Sequence, residues 1–167
     1  SIMNEITALI RQHKMIRSRL IGSITEIQSP SHAQDPLQRS MPFGKGRAHI
    51  AWQFMHCAAT IDRYLNFRIL NQEPKNPELV KSYGNGSVPN PKLILKTEEI
   101  LSALDITIKP YYIYFENLAP EKIDLKPHIE AEKTHREILE LLNWHEASHT
   151  GQAQITWNSF RAFRGHI

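Results

Sequence analysis

The strongest constraint on the fold is the spacing of apolar residues, which recur every three or four positions in four separate stretches of the 167-residue chain. Residues at these intervals lie on one face of an α-helix and can be buried together against neighbouring helices. Runs of β-branched residues are short, which favours helices over strands. The pattern therefore predicts an all-α chain, with helices over roughly 4–27, 47–71, 97–118 and 131–163, in a single domain over residues 1–167.

Two connections rich in proline and glycine separate these predicted helices, at residues 28–46 and 72–96. Proline lacks the amide donor and glycine favours non-helical backbone, so the first segment is predicted as a loop and the second as a long connection between helices. The second is long enough to cross the end of a bundle, which argues against simple up-and-down topology. In the third helix we expect Thr97 to act as the N-cap and Pro110 to kink or interrupt the helix, and we expect Gly165 to end the fourth.

Charge and cysteine content exclude several classes of protein. Lys and Arg number 20 against 17 Asp and Glu, for a net charge of +3, and these charges are spread along the chain. This excess is too mild to indicate nucleic-acid binding. The single cysteine, Cys57, cannot form an internal disulfide and is expected to be a buried, unreactive thiol. No apolar run is long enough for a membrane helix, and residues 1–19 lack the apolar segment of a secretory signal, so we predict a cytoplasmic protein.

Histidines in two of the predicted helices indicate a metal site. His145 and His149 are four residues apart, so they lie about 40° from each other around a helix axis and can point at one ion. His56 shares its helix face with Trp52 and Phe67 and can meet the pair across the bundle interior. Neutral imidazoles bind zinc, nickel and iron well, and coordination offsets the cost of burying them. The apolar or small polar residues on the face of His145 are Ile138, Leu141, Leu142, Gln152 and Thr156.

Two alternative interpretations of these histidines stay open at this point. Residues 145–149 match the H-E-x-x-H pattern of zinc proteases, in which the glutamate, here Glu146, acts as a base. Those families usually take a third ligand from downstream, and here only His166 and no acidic side chain follows, which argues against a protease. The other alternative is that all three are core histidines that are satisfied by hydrogen bonds.

Two segments carry a resemblance to a known family. Residues 47–56 read RAHIAWQFMH and residues 143–152 read NWHEASHTGQ. They resemble the two metal-histidine segments of the DinB/YfiT-like four-helix bundles, aligned at His56 and at the pair His145 and His149, and residues 97–101 are similar to the start of the family's third helix. Ser148 stands where close relatives often carry another histidine, so it is not counted as a ligand.

This resemblance implies a four-helix bundle with a crossover connection between helices two and three, assembled as a homodimer. It also implies one divalent metal ion, such as Ni, Zn, Fe or Mn, on three histidines, with coordination positions left for water or a small-molecule substrate. Relatives include thiol-dependent S-transferases and an isomerase that uses a small thiol cofactor. The resemblance does not imply binding to nucleic acid or to a membrane.

Five further polar residues are candidates for roles near the site. Glu146 projects about 100° from His145, which suits an ion pair on the solvent side or between helices better than a role as base. Gln152 is placed to hydrogen-bond a ligand or substrate, and Arg63, two turns after His56, to hold an anionic substrate, although surface arginines commonly extend into solvent. His49 either lines the site or closes the end of the bundle, and His13 either approaches the site or is a satisfied core residue. We expect neither His13 nor His49 to be a metal ligand.

The histidines and the resemblance together predict a metal-dependent enzyme. The resemblance implies thiol transfer or isomerisation as its reaction, whereas hydrolysis follows only from general metal chemistry. The alternative is a noncatalytic bundle that binds a metal or small ligand and functions through its dimer surface. Both would carry the same histidine motif, so the sequence does not separate them.

Overall fold

A computed structural model describes residues 3–27, 48–90, 92 and 95–163 of the chain. These residues form five α-helices, and none of them lies in a strand. A π-helical turn, Tyr64–Ile69, continues the second helix, and a short 3-10 helix, Pro120–Lys122, follows the fourth. The α-helices are α1 Glu5–Ile27, α2 Ile50–Arg63, α3 Pro77–Tyr83, α4 Thr97–Glu116 and α5 His135–Phe163.

Helices α1, α2, α4 and α5 form the bundle, and their directions follow from pairs of contacting residues. Helices α1 and α5 run parallel, since contacts advance together along both chains, as in Arg17 with Glu146 and Ser23 with Gln154. Helix α2 runs antiparallel to α5, and α4 runs antiparallel to α1. Helices α2 and α4 are therefore parallel, which requires the connection between them to return along the bundle. This confirms the predicted crossover.

The bundle core has two apolar clusters, one toward each end of the helices. One cluster includes Leu20, Phe54 and Trp157, and the other includes Tyr111 and Phe115. Between them, α1, α4 and α5 contribute buried polar side chains, which we call the polar layer. Its members are His13, Arg17, Thr107, Asn143 and Glu146. The three predicted metal histidines lie at the same level, where α5 faces α2.

The connection between α2 and α4 contains a helix that was not predicted from the sequence. Helix α3 is only seven residues long, with Pro77 in its first turn and Gly84 immediately after it. Proline is favoured in the first turn of a helix because its missing amide would have no helical partner there. Asp62 anchors the segment before α3, since its carboxylate accepts the backbone N–H groups of Lys75 and Asn76 at 3.0 and 2.7 Å.

The π-helical turn at the end of α2 corrects the predicted position of Phe67. The sequence analysis placed Phe67 on the same inward face as His56, but its side chain is exposed. A π-helical turn takes more residues than an α-helical turn, so the side chains that follow it are rotated relative to the α-helical pattern. In its place, Leu65 and Ile69 enter the core.

Two helix starts differ from the prediction, and Pro110 does not interrupt its helix. Lys96 rather than Thr97 is the N-cap of α4, and Glu99 accepts its backbone N–H at 2.7 Å. Helix α4 continues through Pro110 without interruption, because Pro110 and Ile106, whose carbonyl loses its helical partner, are exposed and water can bind that carbonyl. Helix α5 begins at His135 rather than near residue 131, with Thr134 accepting the N–H of the third residue.

The predicted loop over 28–46, the start of helix two at Arg47 and the terminating Gly165 lie outside the described residues. Cys57 is buried, and burial raises the pKa of its thiol well above the usual value, as expected for an unreactive cysteine. Within the described ranges, none of the helices combines the length and the apolar character needed to cross a bilayer.

Candidate metal centre

Three histidines from two helices meet between α2 and α5. Each of His56, His145 and His149 offers one ligand atom, and these atoms all lie within 4.8 Å of one another. The Nε2 atoms of His56 and His145 are 3.0 Å apart. The structure therefore brings together the same three residues that the sequence analysis selected as ligands.

Hydrogen bonds at the Nδ1 atoms, which face away from the centre of the cluster, orient two of the three rings. His56 Nδ1 lies 2.6 Å from the backbone carbonyl of Tyr83, at the end of α3, and His149 Nδ1 lies 2.5 Å from Oε1 of Gln53. Carbonyl oxygens only accept, so each Nδ1 carries the proton and each Nε2 keeps its lone pair. Trp52 also stacks on the His56 ring, with centroids 4.5 Å apart and planes 9° apart, which limits rotation of that ring.

Burial keeps the three imidazoles neutral. It lowers the pKa of His145 to about 3, together with repulsion from His149 and His56. It lowers the pKa of His149 to about 4, with a further contribution from His56. Burial also lowers the pKa of His56, against the hydrogen bond to the Tyr83 carbonyl. Near pH 7 each ring is therefore neutral and keeps one nitrogen with a lone pair, which is the state that binds a metal.

The donor set fits a divalent transition metal. Without a cation, a single proton between His56 Nε2 and His145 Nε2 satisfies both atoms, and the Nε2 of His149 is held beside them by its bond to Gln53. A cation in place of that proton would be bound by all three lone pairs. Ligand histidines in metalloproteins characteristically donate their second N–H to a carbonyl or carboxylate, as His56 and His149 do here.

A cavity of about 380 Å³ opens beside the histidines. All three imidazoles line it, and His145 and His149 are half-buried, so a bound small molecule would reach the ligand atoms from this side. Apolar walls come from Leu141 and Leu142. The remaining lining residues include Trp52, Ala59, Thr60, Arg63, Tyr64, Gly84, Asn85 and Trp144.

The position of Glu146 in the structure excludes a role as catalytic base. Its carboxylate accepts two hydrogen bonds from the Arg17 guanidinium, at 3.0 and 2.7 Å, and Nε2 of His13 lies 3.4 Å away. Burial alone would raise the pKa of Glu146, but the hydrogen bonds and the attraction of these two groups outweigh it and lower the pKa to about 2. Glu146 thus forms the interhelical ion pair that was predicted as one alternative. The other alternative, an ion pair on the solvent side, is wrong, since Glu146 is only 1% exposed.

This arrangement also separates the site from the zinc-protease pattern. In that pattern the glutamate must take a proton from water beside the metal. Here both carboxylate oxygens of Glu146 are bound by Arg17, which lies on α1. The H-E-x-x-H match at residues 145–149 therefore reflects two members of the three-histidine group and one structural ion pair on neighbouring faces of α5.

Two other histidines have structural partners. His13 is fully buried, and its Nδ1 lies 2.7 Å from the Tyr112 hydroxyl. His49 is the N-cap of α2, where its Nδ1 accepts the N–H of Trp52 at 3.1 Å and its Nε2 lies 3.3 Å from the Asn90 carbonyl. Neither belongs to the three-histidine group, in agreement with the sequence analysis.

The other candidates lie close to the site. Gln152 is exposed on α5, and its side chain, as a hydrogen-bond acceptor for the His149 imidazole, partly opposes the lowering of the His149 pKa. Arg63 is half-buried at the end of α2 and lines the cavity with the histidines. The sequence analysis assigned no role to Gln53, although its position one turn before His56 placed it near the site. The Tyr83 carbonyl could not be identified from side-chain chemistry, because a backbone group carries no sequence signal.

Comparison with known proteins agrees with this description. The family model of the DinB superfamily matches residues 37–153, which is more than two thirds of the chain and includes all three histidines. No curated protein sequence matches the chain.

Proposed function

The chain belongs to the DinB superfamily, and from this membership and the three-histidine cluster we propose that it is an enzyme that binds one divalent metal ion and acts on small molecules. His56, His145 and His149 would hold the ion, chosen among zinc, nickel, iron and manganese. The single observation that carries this proposal is that three neutral imidazoles, within 4.8 Å of one another, line one open cavity.

A divalent ion supplies Lewis acidity, which lowers the pKa of a coordinated thiol or water and makes it nucleophilic near neutral pH. The protein contributes orientation and exclusion of water. Gln53 and the Tyr83 carbonyl fix the His149 and His56 rings, and Trp52 covers the His56 ring. The apolar walls of the cavity reduce access of bulk water to one side of the site. We propose transfer or isomerisation that uses a thiol, with hydrolysis as the other reaction class.

Metal binding is tested by titrating metal-free protein with each of the four ions and measuring bound metal by elemental analysis. We expect one ion per chain in the wild type. His145→Ala should lower the metal affinity by more than the 10–100-fold that is typical when a residue that hydrogen-bonds a metal ligand is lost. His128→Ala is the matched control, because His128 lies in a different cavity and hydrogen-bonds the Arg68 carbonyl at 2.9 Å. Equal metal binding by all three proteins would refute the site.

Gln53→Ala gives a second, more specific test. Gln53 touches no ion itself, so its loss should preserve the fold and reduce metal affinity roughly 10–100-fold through His149. Circular dichroism and thermal unfolding of the metal-free variant would check the fold. Unchanged affinity in a folded Gln53→Ala variant would contradict the proposed role of the His149 orientation.

Catalysis is tested separately by assaying the metal-loaded protein with small thiols plus electrophiles, with isomerisable substrates in the presence of a thiol, and with esters. Turnover that depends on metal and disappears in His145→Ala supports an enzyme. Metal binding without turnover under every condition supports the noncatalytic alternative.

The homodimer stays a prediction. Trp144 and Ile155 on α5 are 65% and 63% exposed, and light scattering would measure whether the chain is a dimer.

A further inference from the structure

We propose that Arg63 binds a carboxylate group of the substrate, and that this protein acts on small molecules with a metal-binding group at one end and a carboxylate at the other. The inference rests on the proposed function and names the substrate class of the same cavity. It depends on the position of Arg63, on the state of its charge and on the other groups that line the cavity.

The positions of His56 and Arg63 on one helix set the distance between their backbones. Arg63 is the last residue of α2, seven residues after His56, so the two lie about 10 Å apart along the helix axis. Both side chains line the same cavity. A ligand that reaches both must therefore carry its carboxylate several bonds away from its metal-binding atom.

Among the residues that the structure describes, no carboxylate forms an ion pair with the guanidinium of Arg63, whereas Arg17, Arg68 and Arg136 each have a carboxylate partner. The neighbouring Asp62 is occupied by backbone N–H groups of the following connection. The contact that Arg63 makes with the Phe67 ring, at 5.9 Å, does not cancel its charge.

The other lining groups favour a single carboxylate over a phosphate. Arg63 is the one lysine or arginine among the described residues that line this cavity. One guanidinium matches the two oxygens of one carboxylate in a forked pair of hydrogen bonds. A doubly charged phosphate would need further cations, and α5 lines this cavity beside the histidines with apolar or aromatic side chains, from Leu141, Leu142 and Trp144. These walls suit a short hydrocarbon segment.

The test measures binding to protein loaded with Co²⁺, whose absorption spectrum changes when a thiolate coordinates. The probes are mercaptocarboxylates from mercaptoacetate to 6-mercaptohexanoate, each compared with the mercaptoalcohol of the same length. For the wild type we expect the longer mercaptocarboxylates to bind roughly tenfold to a hundredfold more tightly than their alcohols, as for a hydrogen bond to a charged group. Mercaptoacetate is too short to span the cavity and should show no such advantage.

Arg63→Gln should remove this advantage and leave both Co²⁺ affinity and mercaptoalcohol binding unchanged. Arg19→Gln is the matched control, because it removes the same charge from an exposed position on α1. If the carboxylate advantage is absent from the wild type, or persists in Arg63→Gln, the assignment of Arg63 is overturned while the metal site stands. If Co²⁺ does not bind at the histidines of the wild type, the proposed function fails first and this inference fails with it.

Discussion

Replacing Glu146 with Gln tests the buried ion pair between α1 and α5. Glu146 is 1% exposed and Arg17 is 8% exposed, and two hydrogen bonds join them. The substitution keeps the size of the side chain but leaves the Arg17 guanidinium buried without a counter-charge. Breaking a buried pair in this way costs about 3–5 kcal/mol. For a chain of this size, that loss corresponds to a fall in Tm of roughly 6–20 °C.

The assay is urea unfolding of metal-free protein, followed by circular dichroism, with a matched control at an exposed ion pair that also involves α1. Glu116 pairs with Lys14 at 3.0 Å, but both side chains are half exposed. Glu116→Gln should therefore cost less than about 1 kcal/mol. A double variant, Arg17→Met with Glu146→Gln, should recover part of the loss because no uncompensated charge remains. If Glu146→Gln destabilises the protein no more than Glu116→Gln, the assignment of Glu146 to a structural pair is wrong.

Three further predictions follow from burial and hydrogen bonding. The metal-free protein should lose stability as the pH falls from 7 to 5, because unfolded histidines take up protons near pH 6.5 while His145 and His149, with pKa values of about 3 and 4, stay neutral in the folded chain; urea unfolding at both pH values measures this, and equal stability would contradict it. Cys57 should react with a thiol reagent only at the rate of unfolding, and fast labelling of folded protein would refute its burial. Asp62→Ala should destabilise the chain by about 1–3 kcal/mol and speed hydrogen exchange of the amides at residues 75–76, whereas unchanged exchange would show that these bonds do not hold the connection.

The sequence was sufficient to predict the main helices and the three-histidine group. That His145 and His149 share one face of a helix follows from their four-residue spacing and helical geometry alone. The meeting of His56 with this pair depended on the family resemblance, because periodicity places a residue on a face but does not specify which helix packs there. The crossover could be predicted from the length of the connection after α2.

The parts that could not be predicted depend on tertiary packing. Glu146 was placed by its angle from His145, but α5 is buried on two sides, by α2 and by α1, so a residue 100° from the metal site still lies in the core. Arg17 gave no signal as its partner, since an arginine among apolar residues usually reaches solvent. Helix α3 is too short to show a period, and the π-helical turn shifts Phe67 by a change in backbone geometry that residue types do not encode.

The polar layer between the two apolar clusters has a consequence for how the helices align. An all-apolar interface between α1 and α5 would tolerate sliding by one turn, about 5.4 Å, because one aliphatic side chain would replace another. With Arg17 and Glu146 in the middle, such a slip would strand both charges against hydrocarbon. The layer therefore penalises misaligned bundles far more than it favours the correct one, and it holds α5, with two of the three histidines, at one height relative to its neighbours.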